Sequence, residues 1–206
     1  MTGLEVGALA KQLALCYGYN RSLLRPFHFA ACGLEGAQLV SEALDIHFWD
    51  RWVLRRCQEP PWAAYPRATI TYLTADAEDV LQPDCLGPSS VLVIGGLVDH
   101  SNTPGRVGAA LRIATAQGVR SARLPIDDIV RVRKTSLTCL AVVQILAGYA
   151  RTGDWVQAVQ EAPAMNSAPL RKYVVWKHGR GPARSPAADD LANGALPCET
   201  QEAGER

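Results

Sequence analysis

The sequence predicts an α/β domain built on a parallel sheet with helices packed on both faces. Short apolar runs that read as strands alternate with amphipathic runs that read as helices. The run Val91-Leu92-Val93-Ile94 is continuously apolar and does not alternate, as expected of a parallel strand covered on both faces. Each central strand is followed by a glycine-bearing or polar loop, where ligands bind in such sheets.

Taken in order, Leu4, Ala8, Leu9, Leu13, Cys16 and Tyr17 recur at spacings of three and four, so residues 4–19 read as a helix with these side chains on its buried face. Phe27 to Cys32, aromatic and uncharged, reads as a buried strand closed by Gly33, and Gly36 to Leu44 as a second helix. Between Asp45 and Pro66, Trp49, Trp52, Trp62 and Tyr65 interleave with Arg51, Arg55 and Arg56, and Pro60-Pro61 interrupts regular structure. Interleaved Trp and Arg can stack on nucleic-acid bases, but packing within the domain is the favoured reading.

Ala68 to Leu73 reads as a strand, with Thr74 and Asp76 placed to cap a short helix that would hold Asp79 in its first turn. Val91 to Ile94 follows and ends at Gly95-Gly96. Val107 to Gln117 reads as a helix stopped by Gly118, and Ser121 to Leu124 as the next strand. Ser136 to Arg151 reads as a long helix ending near Gly153, after which Asp154 is placed to cap a helix starting at Trp155. Beyond Lys177 the chain is rich in Gly, Pro, Ala, Ser and charge, so 1–176 is expected to form the domain and 177–206 a disordered tail.

Composition limits the function classes. With 206 residues, 48% hydrophobic and 20% charged, the chain suits one compact domain and is neither fibrous nor disordered throughout. Lys+Arg 21 against Asp+Glu 20 leaves a net charge of +1, so any nucleic-acid-binding surface must be local. Leu137 to Val143, among the longest apolar runs, falls well short of the ~20 residues of a membrane span, and the first residues lack a signal or transit pattern. A cytoplasmic or nuclear location is expected. The six cysteines include no C-x-x-C pair and have mostly apolar neighbours, which argues for free thiols and against zinc.

The strand-end loops are Leu73 to Asp76, Gly95 to His100 and Leu124 to Asp128. A dinucleotide-binding G-x-G-x-x-G, a phosphate loop and a G-x-S-x-G nucleophile elbow are absent, so a nicotinamide-dependent oxidoreductase loses its main support. Asp99 is placed for a general base or for a turn cap, and His100 has no neighbour with which to form a metal site. Seven basic residues stand between Arg106 and Lys134 (Arg106, Arg112, Arg120, Arg123, Arg131, Arg133 and Lys134) against Asp127 and Asp128. They suit either a phosphate backbone or a solvated face.

Three successive motifs carry a resemblance: Tyr72-Leu73-Thr74-Ala75-Asp76-Ala77-Glu78, Val93-Ile94-Gly95-Gly96-Leu97-Val98-Asp99-His100 and Ala122-Arg123-Leu124-Pro125-Ile126. With Leu9 to Leu13, Asn20-Arg21, Arg25-Pro26-Phe27 and Thr152 to Trp155, they resemble the tRNA N1-purine methyltransferases that modify nucleotide 9, over roughly Leu4 to Ala162. The resemblance implies a SPOUT methyltransferase: a parallel α/β domain with a C-terminal trefoil knot, acting as a monomer on tRNA with S-adenosylmethionine as cofactor and no metal.

By motif position the resemblance implies cofactor contacts from Leu73, Thr74, Gly95, Gly96, Asp99, Leu124, Pro125, Ile126, Leu137 and Thr138. It makes Asp99 the catalytic residue and gives Gln12, Arg21, Arg25, Arg106, Arg133 and Lys134 to the tRNA. Guanine N1 carries a proton near neutral pH whereas adenine N1 offers a lone pair, so a carboxylate base favours guanosine, with adenosine as the alternative.

Two departures from the family pattern are visible. The first strand of the family, with the acidic, Ser-containing loop that follows it, has no counterpart before the helix at Leu4, which reads as a truncated form. Leu140 stands where the family commonly has Asn. The rival expectation is therefore a relative of the same fold that binds tRNA without turnover.

Overall fold

The computed structural model describes residues 2–96, 107–132, 137–167 and 174–177. Asp99, His100, Arg106, Arg133, Lys134 and all of the expected tail except Lys177 lie outside the described residues.

Helix α1 (Gly3–Ser22) begins with a capping box. The Thr2 N–H donates to Glu5 Oε2 at 2.7 Å and the Glu5 N–H to Thr2 Oγ1 at 3.4 Å, which satisfies two amides that the first turn would leave open. Its buried face is Val6, Ala10, Cys16, Tyr17 and Asn20, whereas Leu4 is 90% exposed and Ala8 is also exposed. The expected stripe is thus rotated. The helix packs on two others, α2 (Gln38–Asp45) and α5 (Cys139–Thr152), and that pairing decides which side is covered. Asn20 is buried because it bonds the chain that turns back: its Nδ2 donates to Phe27 O at 2.9 Å and the Phe27 N–H donates to its Oδ1 at 2.8 Å.

The segment expected as a buried strand from Phe27 to Cys32 contains only β1 (Ala30–Ala31), and Phe27 is exposed. Among the described residues β1 pairs, in parallel, with β2 (Arg55–Arg56) alone, as a two-stranded sheet apart from the central one. Nearby aromatics pack within the domain, as favoured: Trp52 stacks on Tyr17 with centroids 4.5 Å apart, and Arg51, Arg55 and Arg56 lie over Phe48, Tyr65 and Trp49. A one-turn helix, α3 (Pro61–Ala64), follows with Pro at its start.

The central sheet has the order β4-β3-β5, all parallel, from β3 (Ile70–Leu73), β4 (Val91–Ile94) and β5 (Arg120–Ala122). One face carries Ile70, Tyr72, Val91 and Val93 against Ala110 and Ala114 of α4 (Ala109–Gln117). The other carries Leu73, Leu92 and Ala122 against Ala141 and Ile145 of α5. Helices therefore cover both faces. The central strand is buried throughout Ile70, Thr71 and Tyr72, but all of β4 is only half-buried. Its continuous apolar pattern suggested full burial; among the described residues it has a hydrogen-bonded strand on one side only.

No helix forms at Thr74–Asp79. The Thr74 hydroxyl instead accepts from the Asp76 N–H at 3.3 Å and closes a turn, because the chain needs 79–81 as a third edge beside Arg123. The expected stops hold. Gly118 ends α4 at φ +62° with the two returning bonds of a Schellman motif, and Gly153 ends α5 at φ +69°. Asp154 Oδ1 caps α6 (Trp155–Glu161) at 2.7 Å from the Val156 N–H. Helix α7 (Pro163–Asn166) and the antiparallel pair β6 (Val130–Val132) and β7 (Val174–Trp176) were not anticipated, their apolar runs being too short to signal. No helix among the described residues is long and apolar enough to cross a membrane.

α5 and α6 meet at Gly148, where an added Cβ would stand 2.9 Å from Ala158 Cα and 3.1 Å from Ala158 Cβ. Gly148→Ala gains helix propensity of up to ~1 kcal/mol but forces two backbones apart. The expected net result is a loss of about 1–2 kcal/mol in urea unfolding, and unchanged or increased stability would contradict this packing.

Candidate active site

The parallel register brings the strand ends level. Leu73 pairs with Ile94 on one side and Ala122 on the other, so Thr74, Gly95 and Arg123 leave the sheet together at its carboxyl edge. The Thr74 N–H donates to Ala122 O at 3.0 Å and extends that edge by one residue. Ligands of open parallel sheets bind at this edge.

Beyond β5, Leu124 and Ile126 turn inward and are buried, and the Ile126 N–H closes a tight turn over Pro125 onto Leu124 O at 2.8 Å. Leu137, like Leu73, packs against the apolar cluster to which Leu124 and Ile126 belong. Thr138 is the N-cap of α5, its Oγ1 accepting from the Ala141 N–H at 3.2 Å. The fourteen-residue helix α5 therefore starts among these loops, with its positive end toward them.

Gln12 joins this group from the far end of the sequence. Its Oε1 accepts from the Leu140 N–H at 3.2 Å, satisfying an amide at the open end of α5. Leu140, the residue that departs from the motif, is itself packed against the core cluster. Cys16 of α1 and Cys139 of α5 are close enough to affect one another. Burial, and then Cys139, pushes the Cys16 thiol up to about 12, and burial raises Cys139 too. Both stay protonated at neutral pH and act as apolar packing.

The glycine pair has a specific packing reason. A Cβ on Gly95 would lie 2.7 Å from Tyr72 Oη, and one on Gly96 would lie 3.3 Å from Leu9 Cδ2. The chain passes directly over a tyrosine of the central strand and beneath a leucine of α1. Neither Tyr72 nor Leu9 is named as a site residue by the sequence reading; Tyr72 shares the i, i+2 face of Ile70, but Leu9 gives no local signal of this contact.

Leu73, Thr74, Gly95, Gly96, Leu124, Pro125, Ile126, Leu137, Thr138 and Gln12 are thus brought to one end of the sheet. Arg21 and Arg25 are not. Arg21 sits nine residues beyond Gln12, ~13 Å along the helix axis, with its guanidinium 5.8 Å from the Tyr17 ring centroid, and Arg25 is exposed past the helix end. Several basic residues suggested by the charge pattern have protein partners. Arg123 pairs with Asp127 at 3.0 Å and donates to the carbonyls of Ala77 and Glu78, Arg120 Nη1 donates to Cys85 Sγ at 2.8 Å, and Arg112 Nη1 donates to Val107 O at 2.6 Å.

Among the described residues, no cluster of three or more His, Cys, Asp or Glu side chains could hold a metal. An open cavity of about 360 Å³ lies beside β5, lined by residues including Asp79, Asp84, Cys85 and Arg120, but none of the loop residues above lines it.

The contact at Gly95 is testable. Gly95→Ala is expected to lose roughly 1–3 kcal/mol of stability. Because the closest atom is a hydroxyl, combining it with Tyr72→Phe should cost less than the sum of the two single changes. A fully additive double-mutant cycle would place the strain elsewhere.

A family model described as tRNA (guanine(9)-N(1))-methyltransferase TRM10/TRM10A matches residues 1–165. The mouse (Mus musculus) tRNA methyltransferase 10 homolog B is 30% identical over 190 residues, covering 88% of this chain and 57% of that protein. A crystal structure of spTrm10(74) superposes with a TM-score of 0.68 at 23% identity, covering 79% of this chain and 87% of that one. The full-length spTrm10–SAH complex gives 0.66, also at 23% identity and with the same coverage. The chain spans about half the length of the curated relatives it matches. Because the family match takes in α1, all three strand-end loops and the start of α5, this chain belongs to the TRM10 family, described as tRNA (guanine(9)-N(1))-methyltransferases.

Proposed function

We propose that this chain transfers a methyl group from S-adenosylmethionine to N1 of a purine at position 9 of tRNA, guanosine in preference to adenosine. The observation that carries this reading is the convergence of three strand-end loops with the N-terminus of α5 and Gln12 of α1. Membership of the TRM10 family supports it, as does the SAH bound by a protein of similar fold. The finer architecture belongs to the same proposal: a SPOUT fold whose C-terminal part forms a trefoil knot, working as a monomer in cytoplasm or nucleus.

The residues present suit that cofactor. Leu73 and Leu137, half-buried, offer apolar surface for an adenosine, and Leu124 and Ile126 fill the core that supports them. The positive end of α5, capped by Thr138, suits a carboxylate. When bound, S-adenosylmethionine supplies a methyl carbon already activated by its sulfonium. The protein then has to orient the base, exclude water and manage one proton.

In this reading Asp99 takes the proton from guanine N1, and Gln12, by fixing the start of α5, positions the Leu137-Thr138 loop. Arg21, Arg25, Arg106, Arg133 and Lys134 hold the tRNA. The separation of Arg21 from the loops suits a contact with the phosphate backbone some way from the target base.

Labelled methyl transfer to unmodified tRNA transcripts bearing G or A at position 9, followed by mapping of the modified nucleotide, tests the proposal. Methyl at N1 of G9 is the expected product. Methyl elsewhere, or binding of tRNA without turnover, would overturn it. Asp99→Asn is expected to lower the G9 rate by about 10² or more and to flatten its rise with pH, while an A9 substrate loses less. Equal losses on both substrates would remove the proton-handling role.

A further inference from the structure

We propose that Cys32 and Cys57 form a reversible intramolecular disulfide that locks β1 to β2. The register of the strand pair supports it. Ala30 stands opposite Arg55 and Ala31 opposite Arg56, so the next step sets Cys32 opposite Cys57. The ladder continues past the strands: the Cys57 N–H donates to Ala31 O at 2.8 Å and the Leu34 N–H to Cys57 O at 3.3 Å. Neighbouring strands stand ~4.8 Å apart, inside the Cα separation of ~4.4–6.8 Å that a disulfide bridges. Residues directly opposite one another in a ladder project to the same face of it, so both side chains leave on the same side.

Their surroundings suit exchange chemistry. Cys32 is half-buried and is the sulfur open to a small oxidant, while Cys57 is buried behind it. The Arg55 guanidinium, 4.8 Å from the Tyr65 ring centroid, lies on the strand that carries Cys57 and gives negative charge on Cys32 a positive partner. Glu59 faces the pair from the opposite sign. Burial, and then the Cys57 thiol, pushes Cys32 up to about 12, against the pull of Arg55. Cys32 is therefore protonated at neutral pH, and its oxidation accelerates as pH rises.

With a hydroperoxide as oxidant the step balances. Cys32 sulfur attacks the O–O bond; an S–O bond forms, the O–O bond breaks, and the leaving alkoxide or hydroxide takes the thiol proton. Cys57 sulfur then attacks Cys32 sulfur; the S–S bond forms, the S–O bond breaks, and hydroxide leaves as water with the Cys57 proton. Two electrons pass from the thiols to the peroxide. The bridge ties the chain leaving α1 to the segment after α2, and a dithiol reductant reverses it.

The test uses the whole chain, reduced, exposed to hydrogen peroxide between pH 7 and pH 9, then alkylated and mapped by peptide mass. The expected result is a Cys32–Cys57 linked peptide two hydrogens lighter than the dithiol, lost on reduction, with a rate that climbs about tenfold per pH unit. Cys32→Ser, a change at the more exposed sulfur, should abolish the link while Cys16, Cys85 and Cys139 alkylate as before. Three outcomes overturn the proposal in the unmutated chain, whatever the variant does: full alkylation of both thiols after oxidation, a Cys16–Cys139 link in place of this one, or over-oxidation of Cys32 with no link.

Discussion

Helix α5 is held from several sides at once, and its position determines the candidate site. Ala141 and Ile145 are fully buried against the sheet, Gly148 presses on Ala158 of α6, and the Gln144 side chain accepts from the Ala164 N–H at the start of α7. A helix fixed along its length cannot choose where it begins. Its first turn falls among the strand-end loops, and the Leu140 and Ala141 amides there take Gln12 and Thr138 as partners. An unpaired amide in such a half-buried place costs roughly 1–3 kcal/mol, so both side chains hold the fold as well as the site.

The sheet applies the same logic on its other face. α4 packs through Ala110 and Ala114, small residues that let it come close to Ile70 and Tyr72. Tyr72 then reaches the carboxyl edge, where the chain crossing above it has no room for a Cβ. Glycine at 95 is therefore explained by packing before any ligand is considered. At Gly96 the neighbour is Leu9, so α1 closes over the same edge that the strands open. The site lies where three elements, distant in sequence, each leave space for the others.

Much of this was legible in the residues. Helix stops at Gly118 and Gly153, the cap at Asp154, and the strands around Tyr72, Leu92 and Ser121 are local features, set by φ freedom, side-chain capping and β-branched runs. The three loop motifs pointed to the strand ends that the register then brought level. The misreadings were non-local. Leu4 and Ala8 have the right spacing for a buried stripe, yet the face of α1 that is covered depends on α2 and α5. Phe27 to Cys32 has strand composition, but among the described residues it pairs with the short segment around Arg55–Arg56 and not with the central sheet.

Sequence alone determined the central strands and the main helices, their caps and stops, the loop motifs and the family resemblance, because each rests on residues within a turn or a few positions of one another. Tertiary structure decided the rest. It gave Gln12 its place against Leu140, 128 positions away, set Cys32 beside Cys57, and engaged Arg120 and Arg123 with protein partners. Contacts between distant segments depend on the path of the whole chain and on the burial shared among its helices, and no local pattern of residues encodes that path.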